Sequence, residues 1–316
     1  MFTPNYVLTE SSNLDELFDT VVRDSRKVFE DAIGPVDVTV DGPLDYLRSC
    51  LSSDYPGRAL ANGAQYRFTS PESRAGRYAD AFLSWVDRRE RPWAACLNLM
   101  DAHYPYTPDS AHDRWGDSRL RKLNADLAWG SMAEEFLGDR PWWQLRAIEA
   151  LDDGGIHQAD AAVGRIVEEL DHGGTFDDTL VVVTSDHGEG FGERSRLEPG
   201  VRIVHHNWGI HEVLTHVPLV VNYPGETESR SEPGLATLKN FPAAVRNAVQ
   251  GTWSGDEFLA NDRVLASTRR VSDHDAFPDA VEDRSRYRGP WRAVYETTDD
   301  GPIKRVKGRE EPRASG

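Results

Sequence analysis

Thr179-Leu180-Val181-Val182-Val183-Thr184-Ser185-Asp186-His187-Gly188-Glu189 decides how the rest of the chain is read. Its first half is short, β-branched and apolar on both faces, as in a covered parallel strand. Its second half places a carboxylate beside an imidazole directly after the strand. In an open α/β sheet, ligands bind outside the carboxyl ends of the strands. Asp186 and His187 there offer two hard or borderline metal ligands on one turn, and Gly188 lets the backbone pass close by. The plainer reading stands beside this one: a polar turn in which Asp186 caps the next element.

Two further segments read as buried strands, Trp93–Met100 and His216–Val221, the latter with Pro218 near its start, where proline is tolerated. The first ends in Asp101-Ala102-His103-Tyr104-Pro105-Tyr106, which puts His103 on the same sheet edge as Asp186 if the strands are parallel; the alternative is a surface histidine in a Pro/Tyr-rich loop. Between them, Ile156, Ala159, Val163, Ile166, Val167 and Leu170 share a helical face, and Gly173-Gly174 closes that helix. Strand, helix, strand in this order predicts an α/β fold: a mostly parallel sheet with helices on both faces. Helices are also expected over Leu14–Ile33 and Tyr78–Arg89. Beyond Tyr223-Pro224-Gly225 the pattern changes to a loop, a short helix and short strands at Arg263–Thr268 and Trp291–Glu296, with Ile303–Val306 as a hairpin partner after a turn at 299–301. Residues 308–316 read as a frayed tail. The expected division is a core over 1–225 and a small β-rich C-terminal subdomain over 226–316.

Composition narrows the function classes. The chain has 316 residues and a formal net charge of −17, which argues against nucleic acid as a partner because phosphate neutralisation needs surplus cations. No apolar run approaches the roughly 20 residues of a membrane span. Met1-Phe2-Thr3-Pro4-Asn5 has neither the basic nor the apolar region of a signal peptide, so a cytoplasmic location is expected. Cys50 and Cys96 are too few for a disulfide framework and lack metal-type spacing. Of the basic residues only Lys27, Lys122, Lys239, Lys304 and Lys307 are lysines. An evenly acidic, lysine-poor surface suits concentrated salt and a halophilic, archaeal host. A GC-rich genome would also favour arginine, though not the carboxylate excess.

Five of the ten histidines fall between His187 and His216, with His205-His206-Asn207-Trp208-Gly209-Ile210-His211-Glu212 joining the second and third expected strands. The run at 177–189, His-Val-Pro-Leu-Val-Val at 216–221, the helix segment 161–170 and Met-Asp-Ala-His-Tyr-Pro-Tyr at 100–106 together resemble, in order and spacing, the sulfatase family of the alkaline-phosphatase-like superfamily. That resemblance implies hydrolysis of sulfate monoesters at a divalent metal, calcium first, with magnesium, manganese or zinc as alternatives. Hydrolysis of a phosphate or phosphonate ester is the alternative within the superfamily. It implies that Asp186 and His187 are metal ligands and that His103 contacts the ester oxygens. His206, twelve residues before Pro218, would face the ester group, with His205 one residue away as the alternative. The partner would be a small anionic ester, such as a sulfated sugar.

Two features of the family are missing from the sequence. Its paired aspartates and its Cys/Ser-x-Pro-x-Arg nucleophile do not precede the motifs found, so two or three βα units, on the order of 60–100 residues, are expected to be absent from the front. Pro56-Gly57-Arg58 is a decoy, since Asp54 stands where the nucleophile would be, and Cys50 reads as a small buried residue. Without a nucleophile the 316-residue chain is expected to turn over aryl sulfates negligibly, as a truncated, inactive family member would.

Overall fold

Phe2 is almost wholly removed from solvent, and the chain around it explains much of the first half. The computed structural model describes residues 1–5, 7–23, 32–33, 43–68, 74–128, 132–260, 262–268, 277, 281–287, 289–298 and 301–307. These fall into two compact units. Unit 1 is Met1–Met132 with Ala147–Glu169, and unit 2 is Ala133–Arg146 with Leu170–Gly316. Helices predominate over strands: α1 (Pro43–Leu51), α2 (Pro56–Phe68), α3 (Arg74–Val86), α4 (Ser118–Leu127), α5 (Met132–Leu137), α6 (Trp142–His172), α7 (Glu212–Thr215) and α8 (Phe241–Gln250). None of them is long and apolar enough to cross a membrane.

In unit 1, Phe2 forms parallel bridges to both Val22 and Leu97. Its amide donates to Cys96 O and its carbonyl accepts from Asn98 N, each at 2.9 Å. Helix α3 carries Tyr78, Phe82 and Trp85 at helical spacing and lays them on this ribbon. Phe2 meets Phe82 edge-on at 5.7 Å, and Trp93 closes the cluster against Phe82 at the same distance. The helix expected over Leu14–Ile33 is corrected here. Leu14–Leu17 is a single 3-10 turn, Phe18 is extended, and β-branched Val22 is spent on the bridge; residues 24–31 lie outside the described residues. The expected helix at Tyr78–Arg89 is α3. Cys50 is fully buried against Ala59 and Tyr46.

Helix α6 runs 31 residues, four turns earlier than the apolar stripe from Ile156 indicated. Asp152-Asp153-Gly154-Gly155, inside this helix, serves as a contact surface. A Cβ at Gly155 would overlap the carbonyl of Asp101, and one at Gly154 would sit 2.8 Å from Pro108 Cγ. The glycines therefore let the 101–113 loop lie directly on the helix backbone. Asp101 is buried in that contact, accepting hydrogen bonds from Gln158 Nε2 and, at 3.2 Å, from the amide of Ala75 at the start of α3.

In unit 2 the expected mostly parallel sheet with helices on both faces is not formed. Strand β1 (Val181–Thr184) pairs with β4 (Leu219–Asn222) antiparallel, Val181 opposite Asn222 and Thr184 opposite Leu219. The other sheets are an antiparallel hairpin of β2 (Phe191–Arg194) and β3 (Arg202–Val204), and the antiparallel meander β5 (Arg263–Ser267), β6 (Arg292–Thr298) and β7 (Gly301–Lys307). The reason lies in the connection. Between β1 and β4 the chain makes a hairpin and the single turn α7, without a crossover helix to carry it back to the far end of the sheet. Trp93–Met100, the first expected strand in chain order, forms no strand; among the described residues it pairs only through the bridge from Leu97 to Phe2. β1 is also half-buried where a strand covered on both faces was expected. The small C-terminal β-subdomain is present, with Ala293 and Trp291 packing on Ile210.

Gly155→Ala is expected to destabilise the protein by about 1–3 kcal/mol through overlap with Asp101. Gly164→Ala, on the same helix with open space at its Cβ, should stabilise by roughly 0.5–1 kcal/mol. Urea unfolding of both variants checks the opposite signs; two gains would show that the 101–113 loop does not need the glycine.

Candidate functional site

The segment after β1 is held in place before any chemistry is asked of it. Thr184 Oγ1 donates to Pro218 O at 2.8 Å, and Ser185 Oγ to His187 O at 2.5 Å. Gly188 N donates to Leu214 O at 3.0 Å, so the turn lies against α7, where a Cβ on Gly188 would overlap Val213 O. α7 is itself anchored from the C-terminal sheet. Lys304 Nζ reaches Glu212 Oε1 at 2.7 Å and Ile210 O at 2.6 Å, and Tyr295 OH donates to the same carboxylate at 2.8 Å. Burial would raise the Glu212 carboxyl, but the Lys304 and Tyr295 bonds outweigh it and hold the group below the ordinary glutamate value. His211 caps α7 by accepting from Val213 N at 3.3 Å, and burial lowers its imidazole below the ordinary histidine value.

On this support two histidines bond one carboxylate and a third stacks on one of them. The β2–β3 hairpin returns the chain so that His205 N donates to Gly190 O at 2.9 Å, with His205 in the left-handed region at φ 49°. Glu189 then takes His205 Nδ1 on Oε1 at 3.0 Å and His206 Nδ1 on Oε2 at 3.4 Å. The Glu189 and His205 side chains are only 12% and 7% exposed. Burial alone would push the Glu189 carboxyl up, but the two imidazole bonds and charges win and bring it down to about 2. Reciprocally, the Glu189 bond raises His206 above the ordinary histidine value, with burial opposing and the Glu189 and Asp186 charges assisting.

The His206 ring lies 4.0 Å from that of His187, tilted by 34°. His187 Nδ1 is 3.0 Å from Gly188 O, which fixes the tautomer carrying its proton on Nδ1 and leaves Nε2 as the lone-pair nitrogen. That Nε2 is 3.7 Å from Asp186 Oδ1, a separation that fits two donors sharing one divalent ion. No group of three or more His, Cys, Asp or Glu able to hold a metal is found among the described residues. Asp186, His187 and His206 thus come together in unit 2. His103 belongs to unit 1, exposed, with Nδ1 at 2.6 Å from Tyr104 O. Asp186 also lines a cavity of about 1750 Å³ within unit 2, together with His211, Glu212, Lys304 and Arg230.

Sequence reasoning named Glu189 within its segment without giving it a role, and named His205 only as a stand-in for His206. The available signal was two adjacent histidines and a lone acid at the two ends of one short hairpin. Glu189 gives the site a pH signature. Its carboxyl is depressed, so its contribution is present above about 4.5 and lost as pH falls toward about 2; His206 is raised, so its contribution is present below about 6.5 and fades as pH rises. The stability gap between the protein and Glu189→Gln should therefore peak between these limits, at about 3 kcal/mol or less. Chemical denaturation from pH 3 to 9 measures it, and a gap that does not vary with pH would refute the pairing.

Comparison with known proteins places the chain in a family. The sulfatase family model matches residues 47–250. Human iduronate 2-sulfatase is 30% identical over 148 residues, covering 43% of this chain and 24% of that protein. The sulfatase YidJ of Escherichia coli K12 is 24% identical over 221 residues, 65% of this chain and 41% of its own. The chain therefore spans about a quarter to two fifths of the length of these relatives. Among solved structures, the phosphonate monoester hydrolase of Agrobacterium radiobacter aligns with a TM-score of 0.47 at 17% identity, over 76% of this chain and 55% of that one. Since the family model spans well over half of its residues, the chain belongs to the sulfatase family.

Proposed function

We propose that unit 2 binds the anionic group of a small monoester at a divalent metal, as part of a sulfatase-family hydrolase. The observation that carries this reading is the convergence of Asp186, His187 and His206 on one side of a buried Glu189 at the carboxyl end of β1. Asp186 Oδ1 and His187 Nε2 would hold the metal, which when bound supplies positive charge against an ester oxygen. Calcium, magnesium, manganese and zinc are the candidates, with calcium first.

The chain's own groups do the rest. Glu189 keeps His206 protonated to a higher pH than a free histidine, so a cation stands beside the metal ligands where an anionic ester would sit. The same His206 can give its Nε2 proton to a leaving oxygen and take another from water, the ionised Glu189 on its Nδ1 side favouring that recharging. His103 is proposed, from the family resemblance, to contact ester oxygens.

Sulfate, phosphonate and phosphate monoesters present these groups with the same tetrahedral anion. The substrate class is accordingly a small anionic monoester. The names of two relatives, iduronate 2-sulfatase and the ulvan-active sulfatase of Formosa agariphila, favour a sulfated sugar. The phosphonate monoester hydrolase similarity keeps phosphonates in the test set.

Calorimetric titration of inorganic sulfate and phenylphosphonate, each with and without calcium or manganese, tests the site. Anion binding should need the metal and weaken roughly 10–100-fold in Asp186→Asn or His187→Gln. His103→Gln and His206→Gln should lower anion affinity while sparing metal binding. Metal-dependent anion binding that survives both Asp186→Asn and His187→Gln would overturn the proposal.

A further inference from the structure

Outside the residues used so far, unit 1 holds a second pair of facing imidazoles. His112 Nδ1 lies 2.9 Å from His157 Nδ1, with ring centroids 4.8 Å apart and planes inclined by 56°. Both side chains are half-buried. Trp115 meets the His157 ring edge-on at 5.9 Å.

The pairing is built by three independent contacts and is not an accident of two surface side chains. Asp109 N donates to Gln158 Oε1 at 2.8 Å, tying the loop to α6 one residue beyond His157, and Gln158 is itself buried. Asp109 Oδ1 accepts from Ala111 N at 3.0 Å and His112 N at 3.1 Å, which fixes the turn that presents His112. Gly154, one turn before His157, lets Pro108 and Asp113 approach the helix backbone. Exposed Asp153 and Asp160 stand four residues before and three after His157, on its helical face, and give the pair an anionic setting.

We propose that His112 and His157 form a two-imidazole site for a late first-row transition ion, Cu²⁺ or Ni²⁺ before Zn²⁺. Imidazole is the side chain these ions favour. Two nitrogens about 2.0 Å from one ion are about 2.9 Å apart in cis positions of a square plane but about 3.3 Å apart on a tetrahedron. The observed 2.9 Å is that of an Nδ1–H···Nδ1 hydrogen bond, and it already holds the two nitrogens at the spacing that cis ligands of one ion require. The hydrogen bond between the rings places one Nδ1–H between them; on binding, the donor ring moves that proton to its own Nε2, so both Nδ1 lone pairs face the ion with no net proton lost. Water fills the remaining positions, with Asp153 and Asp160 at their edge.

Copper titration of the full chain tests this. One equivalent of Cu²⁺ should give a tetragonal electron paramagnetic resonance spectrum with coupling to two nitrogens, in the His187→Gln/His206→Gln background as in the unaltered protein. In that background, His112→Gln and His157→Gln should each weaken Cu²⁺ binding roughly 10–100-fold. Cu²⁺ should shield His112 and His157 from carbethoxylation by diethyl pyrocarbonate, read peptide by peptide, while exposed His172 stays reactive. Gly154→Val, which keeps both histidines but forces the loop off α6, should lose the two-nitrogen coupling; circular dichroism shows whether that variant has folded, and the histidine variants decide the matter if it has not. Unchanged Cu²⁺ affinity in His112→Gln and His157→Gln, or no shielding of either histidine, would overturn the proposal.

Discussion

A carboxylate withdrawn from water must be paired, and at Glu189 that requirement organises the second unit. The ionised group survives burial because two imidazole N–H groups reach its two oxygens. Meeting that condition fixes the path of the chain. Residues 205 and 206 must return to residue 189, which the β2–β3 hairpin accomplishes, and His205 must take a left-handed conformation to aim its ring inward. Gly188 must lack a side chain so that the turn can lie on α7. α7 in turn is held by Lys304 and Tyr295 from the C-terminal sheet. The C-terminal subdomain thus acts on the site through Glu212 and one helical turn, without contributing a ligand.

What was readable in the sequence was local. Asp186, His187 and Gly188 follow a valine run within a few residues, and both the strand and the exposed turn after it come from adjacent side chains. The same holds for α3, α8 and the C-terminal hairpin, whose apolar spacing lies within each element. Pairing direction was not readable. Three apolar runs separated by a helix are compatible with a parallel sheet, yet β1 and β4 meet antiparallel because the chain between them holds no crossover element. Val22 shows the same limit from the other side, since it fits a helical stripe with Leu17 and Val21 but is bridged to Phe2.

Some uses of glycine show only in three dimensions. Gly154 and Gly155 look like a break when only propensity is considered. Their use becomes visible when the carbonyl of Asp101 and the ring of Pro108 are found against the helix backbone. The hairpin β2–β3 was missed because Phe191-Gly192-Glu193-Arg194 and Arg202-Ile203-Val204 are too short and too charged to show a period of two. The charge of −17 also takes on a sharper meaning. Against that background an anionic ester depends on locally held cations, so proton affinity at His206 bears on binding more directly than the overall balance does.

The central claim is that Glu189 sets the protonation of His206 beside Asp186 and His187, the proposed metal ligands. Nitrogen-15 imidazole spectra across a pH titration report it site by site. The account predicts that His206 titrates above 6.5 in the intact protein and falls toward or below that value in Glu189→Gln, with both Nδ1 atoms protonated only in the former. A His206 titration that is the same in the two proteins would contradict it.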